Sequence, residues 1–275
     1  IGTFGTLCVC DSSRLIKVPA QLLPLQHFAC SRALCSAYRL LEDYGSVKPG
    51  DTIIQNAADL PVGQAVIQLC KMLKIRTVNL VPDDDGFERT KELLMQLGAT
   101  HVLRDNSKLS EFLDALGSEM PRLALDALGG EAGKRLAIAL RPGGVLVMHQ
   151  MQSGQVPAIS PSLLMYQQIS MYGFNLAAWT TENGSEAYLQ MLRTLAAHYL
   201  LSARREDGQP VDPVARFHLG NGALVHAVHA EADTSAKGRA QSASVMVNYL
   251  YDLGKVAQNH DRYAAAGEIA ASSDI

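Results

Sequence analysis

The sequence predicts an α/β protein built on a doubly wound, mostly parallel sheet. Short β-branched runs alternate with amphipathic helical runs, the runs read as strands are apolar on both faces, and turn residues punctuate each change. Asp51 opens the alternation. Thr52-Ile53-Ile54-Gln55-Asn56 is a strand, and Val62, Val66, Ile67, Leu69, Cys70 and Leu73 then recur at helical spacing over 62–73. A second strand follows over 76–81, a helix over 87–97, a short strand over 101–103 and a helix over 109–116. Residues 123–127 read as a fourth strand, 130–140 as a helix, and 144–149 as a fifth strand after an Arg-Pro-Gly-Gly turn.

The flanks differ. Residues 6–10 and 15–18 read as paired strands and 28–44 as a helix, too little for an independent domain. In the tail, 242–266, Val245, Tyr249, Leu253 and Val256 fall near one helical face, so a helical tail is expected. The division expected is 1–45, 46–180, 181–240 and 241–275. With 275 residues, 48% hydrophobic and 19% charged, the chain has a real core, and global disorder is excluded. A net charge of -3 leaves no basic excess of the kind that drives nucleic-acid binding. Five cysteines without CxxC spacing make neither a disulfide framework nor a zinc pattern; Cys8 and Cys10 would lie about 6.6 Å apart on one strand face, poor disulfide geometry. The uncharged twenty-residue segment of a membrane helix is missing. No basic, acid-poor presequence stands at residue 1, so a processed chain, or a start other than the gene's own, is expected.

Pro49-Gly50-Asp51, Val62-Gly63-Gln64-Ala65-Val66-Ile67-Gln68, Leu97-Gly98-Ala99-Thr100-His101-Val102 and Gly129-Gly130 resemble the medium-chain dehydrogenase/reductase pattern. Ile54-Gln55-Asn56-Ala57, Pro121-Arg122-Leu123-Ala124-Leu125 and Gly173-Phe174 with Trp179 resemble, more narrowly, the mitochondrial 2-enoyl thioester (trans-2-enoyl-CoA) reductases, over about residues 2–230. The resemblance implies a Rossmann-like domain joined to a GroES-like β domain, of which the chain ends would form a remnant. It also implies a mitochondrial location and NADPH-dependent reduction of a 2-enoyl thioester. Hydride would go to the β-carbon, with a tyrosine of the amino-terminal domain assisting.

Several positions depart from that pattern. The Gly-Asn-Tyr-Gly type segment that carries the family's tyrosine has no counterpart, so no catalytic tyrosine is carried over. The first βα turn reads Ala57-Ala58-Asp59-Leu60-Pro61-Val62-Gly63 and keeps one glycine. Pro61 lacks an amide hydrogen, and Asp59 sets a carboxylate at the helix N-terminus, as an N-cap or against a phosphate. Where the family holds the 2′-phosphate with basic residues stands Pro82-Asp83-Asp84-Asp85. These aspartates read either as acceptors for the ribose 2′-hydroxyl of NADH or as a solvated loop capping the next helix. After the fifth strand, ending at His149, the family's glycine pair is Gln150-Met151, which would crowd the cofactor side.

The cofactor positions Asp59, Pro61, Val62, Gly63, Pro82, Asp83, His149 and Lys237 are therefore read as vestigial, and Phe174 and Trp179 as a weak acyl pocket. Lys237 stands where the family ends in a Ser-Ser-Lys segment. His226 and His229, with Glu231, have the spacing of a helical face but lack a further ligand, so no metal is expected. The function expected is a non-catalytic accessory or structural subunit of a mitochondrial assembly, with no cofactor, docking on partner proteins through Val245, Tyr249, Leu253 and Val256. The alternatives are an NADPH- or NADH-dependent 2-enoyl-CoA/ACP reductase and an acyl-thioester-binding module without turnover.

Overall fold

The computed structural model describes residues 25–106, 109–202, 204–205, 207–229, 232, 233, 235, 237, 245–273 and 275. The strands read at 6–10 and 15–18, with Cys8, Cys10 and Glu231, lie outside them. Contacts divide the chain into two units, one of 30–176 with 198–205, the other of 1–29, 177–197 and 206–275.

The first unit carries six parallel strands, β1 (Thr52–Gln55), β2 (Arg76–Val81), β3 (His101–Arg104), β4 (Leu123–Asp126), β5 (Val145–Met148) and β6 (Ser170–Gly173), in the order β3-β2-β1-β4-β5-β6. Helices α1 (Leu25–Asp43), α2 (Pro61–Leu73), α3 (Phe87–Leu97), α4 (Leu109–Leu116), α5 (Gly130–Ile138) and α6 (Pro161–Met165) connect or precede them; α7 (Leu176–Ser202), kinked at non-helical Gly184, follows β6, and its residues 177–197 belong to the second unit. Parallel neighbours require crossovers, and each helix buries the stripe its spacing set out: Val66, Ile67, Leu69 and Cys70 on α2, Leu94 on α3, Leu136 and Ala137 on α5. Ile53 and Ile54 are adjacent in sequence, so they point to opposite faces, and both are fully buried. One core gathers Ile54, Leu80, Ala124, Leu136 and Leu146; another gathers Ile67, Val81, Phe87, Leu94 and Val102. The doubly wound sheet is thus as expected. Strand β6 is additional, because its Ser-Met-Tyr-Gly run is exposed and carries little hydrophobic signal. The carboxy-terminal part of α1 buries Leu40 and Leu41 and belongs with the sheet unit, not with a separate 1–45 segment.

The second unit contains α8 (Pro213–Gly220), β7 (Leu224–His229), β8 (Met246–Leu250) and α9 (Val256–Ala266). β7 and β8 pair antiparallel, with an irregularity between Val225 and Ala227. The expected single helical tail is corrected. Exposure alternates strictly along 246–250, a period of two, so Tyr249 stands in a strand, while Val256 begins α9. Between them Gly254 donates its amide to Asp252 Oδ1, and Leu253, 92% exposed, sits in that turn. Val245, Tyr249, Leu253 and Val256 share no helical face. His226 and His229 are likewise on strand β7, not on a helix.

Candidate functional site at the sheet crevice

Strand β1 leads into α2 and β4 into α5, and the strand order reverses between β1 and β4. The crevice beyond the carboxyl ends of such a pair is where doubly wound sheets hold ligands. At its base stand two buried polar residues, Asn56 (2% exposed) after β1 and Asp126 (0%) ending β4. Asn56 Nδ2 donates to Asp126 Oδ1 at 2.7 Å, and the Ala127 amide donates to Asn56 Oδ1 at 2.8 Å. Asp126 Oδ1 also accepts from the amides of Leu128 (3.1 Å) and Gly129 (2.9 Å). Asp126 Oδ2 is buried without a hydrogen-bond partner. Gly133 lets α5 approach, since a Cβ there would overlap Asp126 Oδ2.

The first βα turn keeps the form of a phosphate-binding turn with other residues. Ala57 takes the left-handed conformation at φ 47° that glycine usually supplies. Gly63 is required, because a Cβ would stand 2.6 Å from Ala58 Cα. Gln55 Nε2 donates to the Gly63 carbonyl at 3.0 Å and to Asn79 Oδ1 at 2.8 Å, fixing the first turn of α2 to the sheet. Leu60, not Asp59, is the N-cap, and no side chain caps the helix. Pro61 contributes no amide hydrogen, but the amides of Val62 and Gly63 lie in the first turn, where a helix has no internal acceptor for them. Asp59 Oδ1 is buried without a partner. The turn thus fits a dinucleotide through Ala57, Gly63 and the α2 amides, with Asp59 as an opposing charge.

Beyond β2, Asp83 pairs with Arg104 Nη1 (2.8 Å) and accepts from Asn106 Nδ2 (2.9 Å), and Asp84 Oδ1 accepts the Gly86 amide (2.8 Å). The guanidinium of Arg104 lies 4.0 Å from the centroid of the Phe87 ring. Beyond β5, His149 donates its amide to the Asp126 carbonyl at 3.0 Å, and the Gly130 amide donates to Gln155 O at 2.8 Å. The strand-like pairing continues through Gln152 and Ser153, so the Gln150-Met151 segment runs along the β4–α5 connection and exposes Met151 (47%). Burial pushes the His149 imidazole down to about 4, against a smaller upward pull from Asp126.

Other candidates stand on other elements. Phe174 is buried at the end of β6, 6.3 Å from the Tyr44 ring. Trp179 and exposed Lys237 belong to the second unit. Among the described residues no group of three His, Cys, Asp or Glu converges on a metal position. Sequence reasoning missed Asn56, Asp126 and Arg104. For the first two the available signal was a polar residue directly closing a fully buried strand.

This is a dinucleotide-binding type of crevice on a doubly wound sheet. The chain belongs to the medium-chain dehydrogenase/reductase family: residues 61–197 match the zinc-binding dehydrogenase family, and the chain is 34% identical over 198 residues to the human mitochondrial enoyl-[acyl-carrier-protein] reductase, covering 71% of this chain and 53% of that protein. The Dictyostelium discoideum enzyme of the same name is 34% identical over 181 residues, covering 65% and 51%. The chain thus spans about half the length of the curated relatives it matches. Among solved structures, the mitochondrial 2-enoyl thioester reductase Etr1p/Etr2p heterodimer from Candida tropicalis superposes with a TM-score of 0.59 at 22% identity, covering 73% of this chain and 58% of that one. The Etr1p/NADP/crotonyl-CoA complex gives 0.58 at 23%, covering 63% and 50%. These likenesses show the fold. Residues 148–275 also match the malonyl-CoA decarboxylase C-terminal domain. The relatives overturn two expectations, that of a non-catalytic accessory subunit and that of no cofactor. The physical reason is in the charges: Asp83 and Asp84, which stand where the family carries basic residues, are engaged by Arg104, Asn106 and the Gly86 amide.

Two outcomes follow from this geometry. Replacing Asp59 with Asn removes a like charge beside the pyrophosphate end and should raise dinucleotide affinity about three- to tenfold by calorimetry; unchanged affinity would place the carboxylate elsewhere. For His149 the pH dependence has a definite sign. Between about pH 6.5 and 4 the unfolded chain takes up a proton that the folded imidazole refuses, so stability falls as pH drops through that window. The loss should be about 1–2 kcal/mol, because the side chain is only partly buried. Urea unfolding across the window should show that slope flattened in His149→Asn, and equal slopes would assign the proton to another group.

Proposed function

We propose that the protein is a nicotinamide-dependent 2-enoyl thioester reductase of the mitochondrion. The observation that carries the reading is a crevice fit for a dinucleotide in a chain 34% identical to enoyl-[acyl-carrier-protein] reductases. The α2 amides at Val62 and Gly63 would hold the pyrophosphate, with Asn56 and Asp126 setting the floor of the crevice. When bound, the nicotinamide supplies a hydride. The chain's own contribution is to orient that group and keep water from the floor. Among the described residues no helix is long and apolar enough to cross a membrane. The test is oxidation of NADH or NADPH by the purified protein with crotonyl-CoA, paired with cofactor titration. Turnover with saturable binding is expected; neither turnover nor binding of either cofactor overturns the reading.

A second reading, for the second unit, is favoured by one arrangement. The His218 ring stacks on Tyr249 at 4.4 Å, and its Nδ1 lies 2.9 Å from the Tyr251 hydroxyl. Burial raises the Tyr249 phenol above its ordinary range, and Asp212 adds to that. A histidine bonded to a phenol is a proton-transfer pair. With the match over 148–275, it supports an action on malonyl-type thioesters, in which the C–C bond to the carboxylate breaks, carbon dioxide leaves and the α-carbon takes a proton. Release of carbon dioxide from malonyl-CoA should fall at least about a hundredfold in His218→Asn. Equal release from variant and parent, or none from the parent, would overturn this reading.

A further inference from the structure

The loop after β2 meets the part of a dinucleotide that distinguishes NADH from NADPH, because the adenosine ribose lies at the end of that strand in doubly wound sheets. Resting on the reductase reading above, we infer that this crevice selects NADH over NADPH, and that Asp83 with Arg104 sets the selectivity.

A 2′-phosphate is anionic and calls for cations or amide hydrogens. The loop begins with Pro82, which has no amide hydrogen. Its guanidinium, Arg104, stands at the last register position of β3, opposite Val81. That group is committed three ways: Nη1 donates to Asp83 Oδ1 (2.8 Å) and to the Asp84 carbonyl (3.2 Å), Nη2 lies 3.7 Å from Glu88 Oε1, and the flat face covers Phe87. The carboxylates of Asp83 and Glu88 lie on this guanidinium, the carboxylate of Asp84 holds the Gly86 amide, and Asp85 adds a further negative charge to the loop. Lys91, one helical turn further, lies 5.9 Å from the Phe87 ring centroid. A phosphate entering here would have to displace Asp83 from Arg104 and lie among the remaining carboxylates. A 2′-hydroxyl carries no charge and donates one hydrogen, which a carboxylate accepts.

Arg104 gives the loop its shape as well as its charge balance. By holding Asp83, with Asn106 Nδ2 donating to the other oxygen, it keeps a carboxylate at the strand end instead of leaving it to swing into water. The arrangement is therefore a formed acceptor, and Asp83→Asn should weaken NADH binding and admit NADPH by removing one charge and loosening Arg104.

The experiment measures dissociation constants of the full chain for NADH, NADPH, 5′-AMP and 2′,5′-ADP by calorimetry, with no turnover required. NADH is expected to bind at least about tenfold more tightly than NADPH, and 5′-AMP more tightly than 2′,5′-ADP. The double variant Asp83→Ser with Asp84→Arg should reverse the order, with circular dichroism confirming that it folds. NADPH bound as tightly as NADH or more tightly by the parent protein would overturn the selectivity while leaving the reductase reading intact. Binding of neither nucleotide would overturn that reading and this inference together.

Discussion

The hydrogen bond between Asn56 and Asp126 is the constraint on which the crevice depends. It joins the ends of the two central strands at the point where their helices diverge, and both residues are almost wholly buried. In an interior of low dielectric the pair is held by the donors that gather on Asp126 Oδ1, while Asp126 Oδ2 stays buried without a partner. Asp126 Oδ1 gathers three donors and Asn56 Oδ1 a fourth, so the amides that start the β4–α5 connection are satisfied without closing the crevice. An apolar pair of the same size would leave the amides of Ala127, Leu128 and Gly129 to find water, at about 1–3 kcal/mol for each left unmet.

A second polar chain extends that rigidity to the nucleotide side. Gln55 holds the Gly63 carbonyl and Asn79, and Asn79 holds Thr77 and the His101 carbonyl. These hydrogen bonds tie strands β1, β2 and β3 to the first turn of α2. A cofactor meeting this surface finds its donors already placed, which lowers the ordering cost of binding.

The fold was legible wherever burial imposed a period. Ile53-Ile54, Val78, Leu80, Leu125 and Leu146 are buried because parallel strands are covered on both faces, and the sequence shows that directly. Strand β6 and the hairpin β7–β8 were not legible, for opposite reasons. The first is too exposed to carry an apolar pattern, and in the second the residues 245, 249, 253 and 256 satisfy helical spacing by coincidence while Asp252 and Gly254 form a turn through them. Helical spacing is a necessary condition for a shared face and never a sufficient one when turn residues interrupt it.

The candidate site was legible as a set of positions but not as a set of charges. Reading Pro82-Asp83-Asp84-Asp85 along the chain counts three negative charges facing a cofactor, since Arg104 is twenty-one residues from Asp83 in sequence. The parallel pairing of β2 with β3 removes that distance by setting Val81 opposite Arg104. One aspartate is then an ion-pair partner and another a turn former, while the guanidinium is unavailable to an anion. Pairing therefore acts in two ways that do not cancel: it offsets part of the negative charge of this loop, and it commits Arg104 to Asp83. Charge counted by residue type sets neither result; the register of two strands sets both.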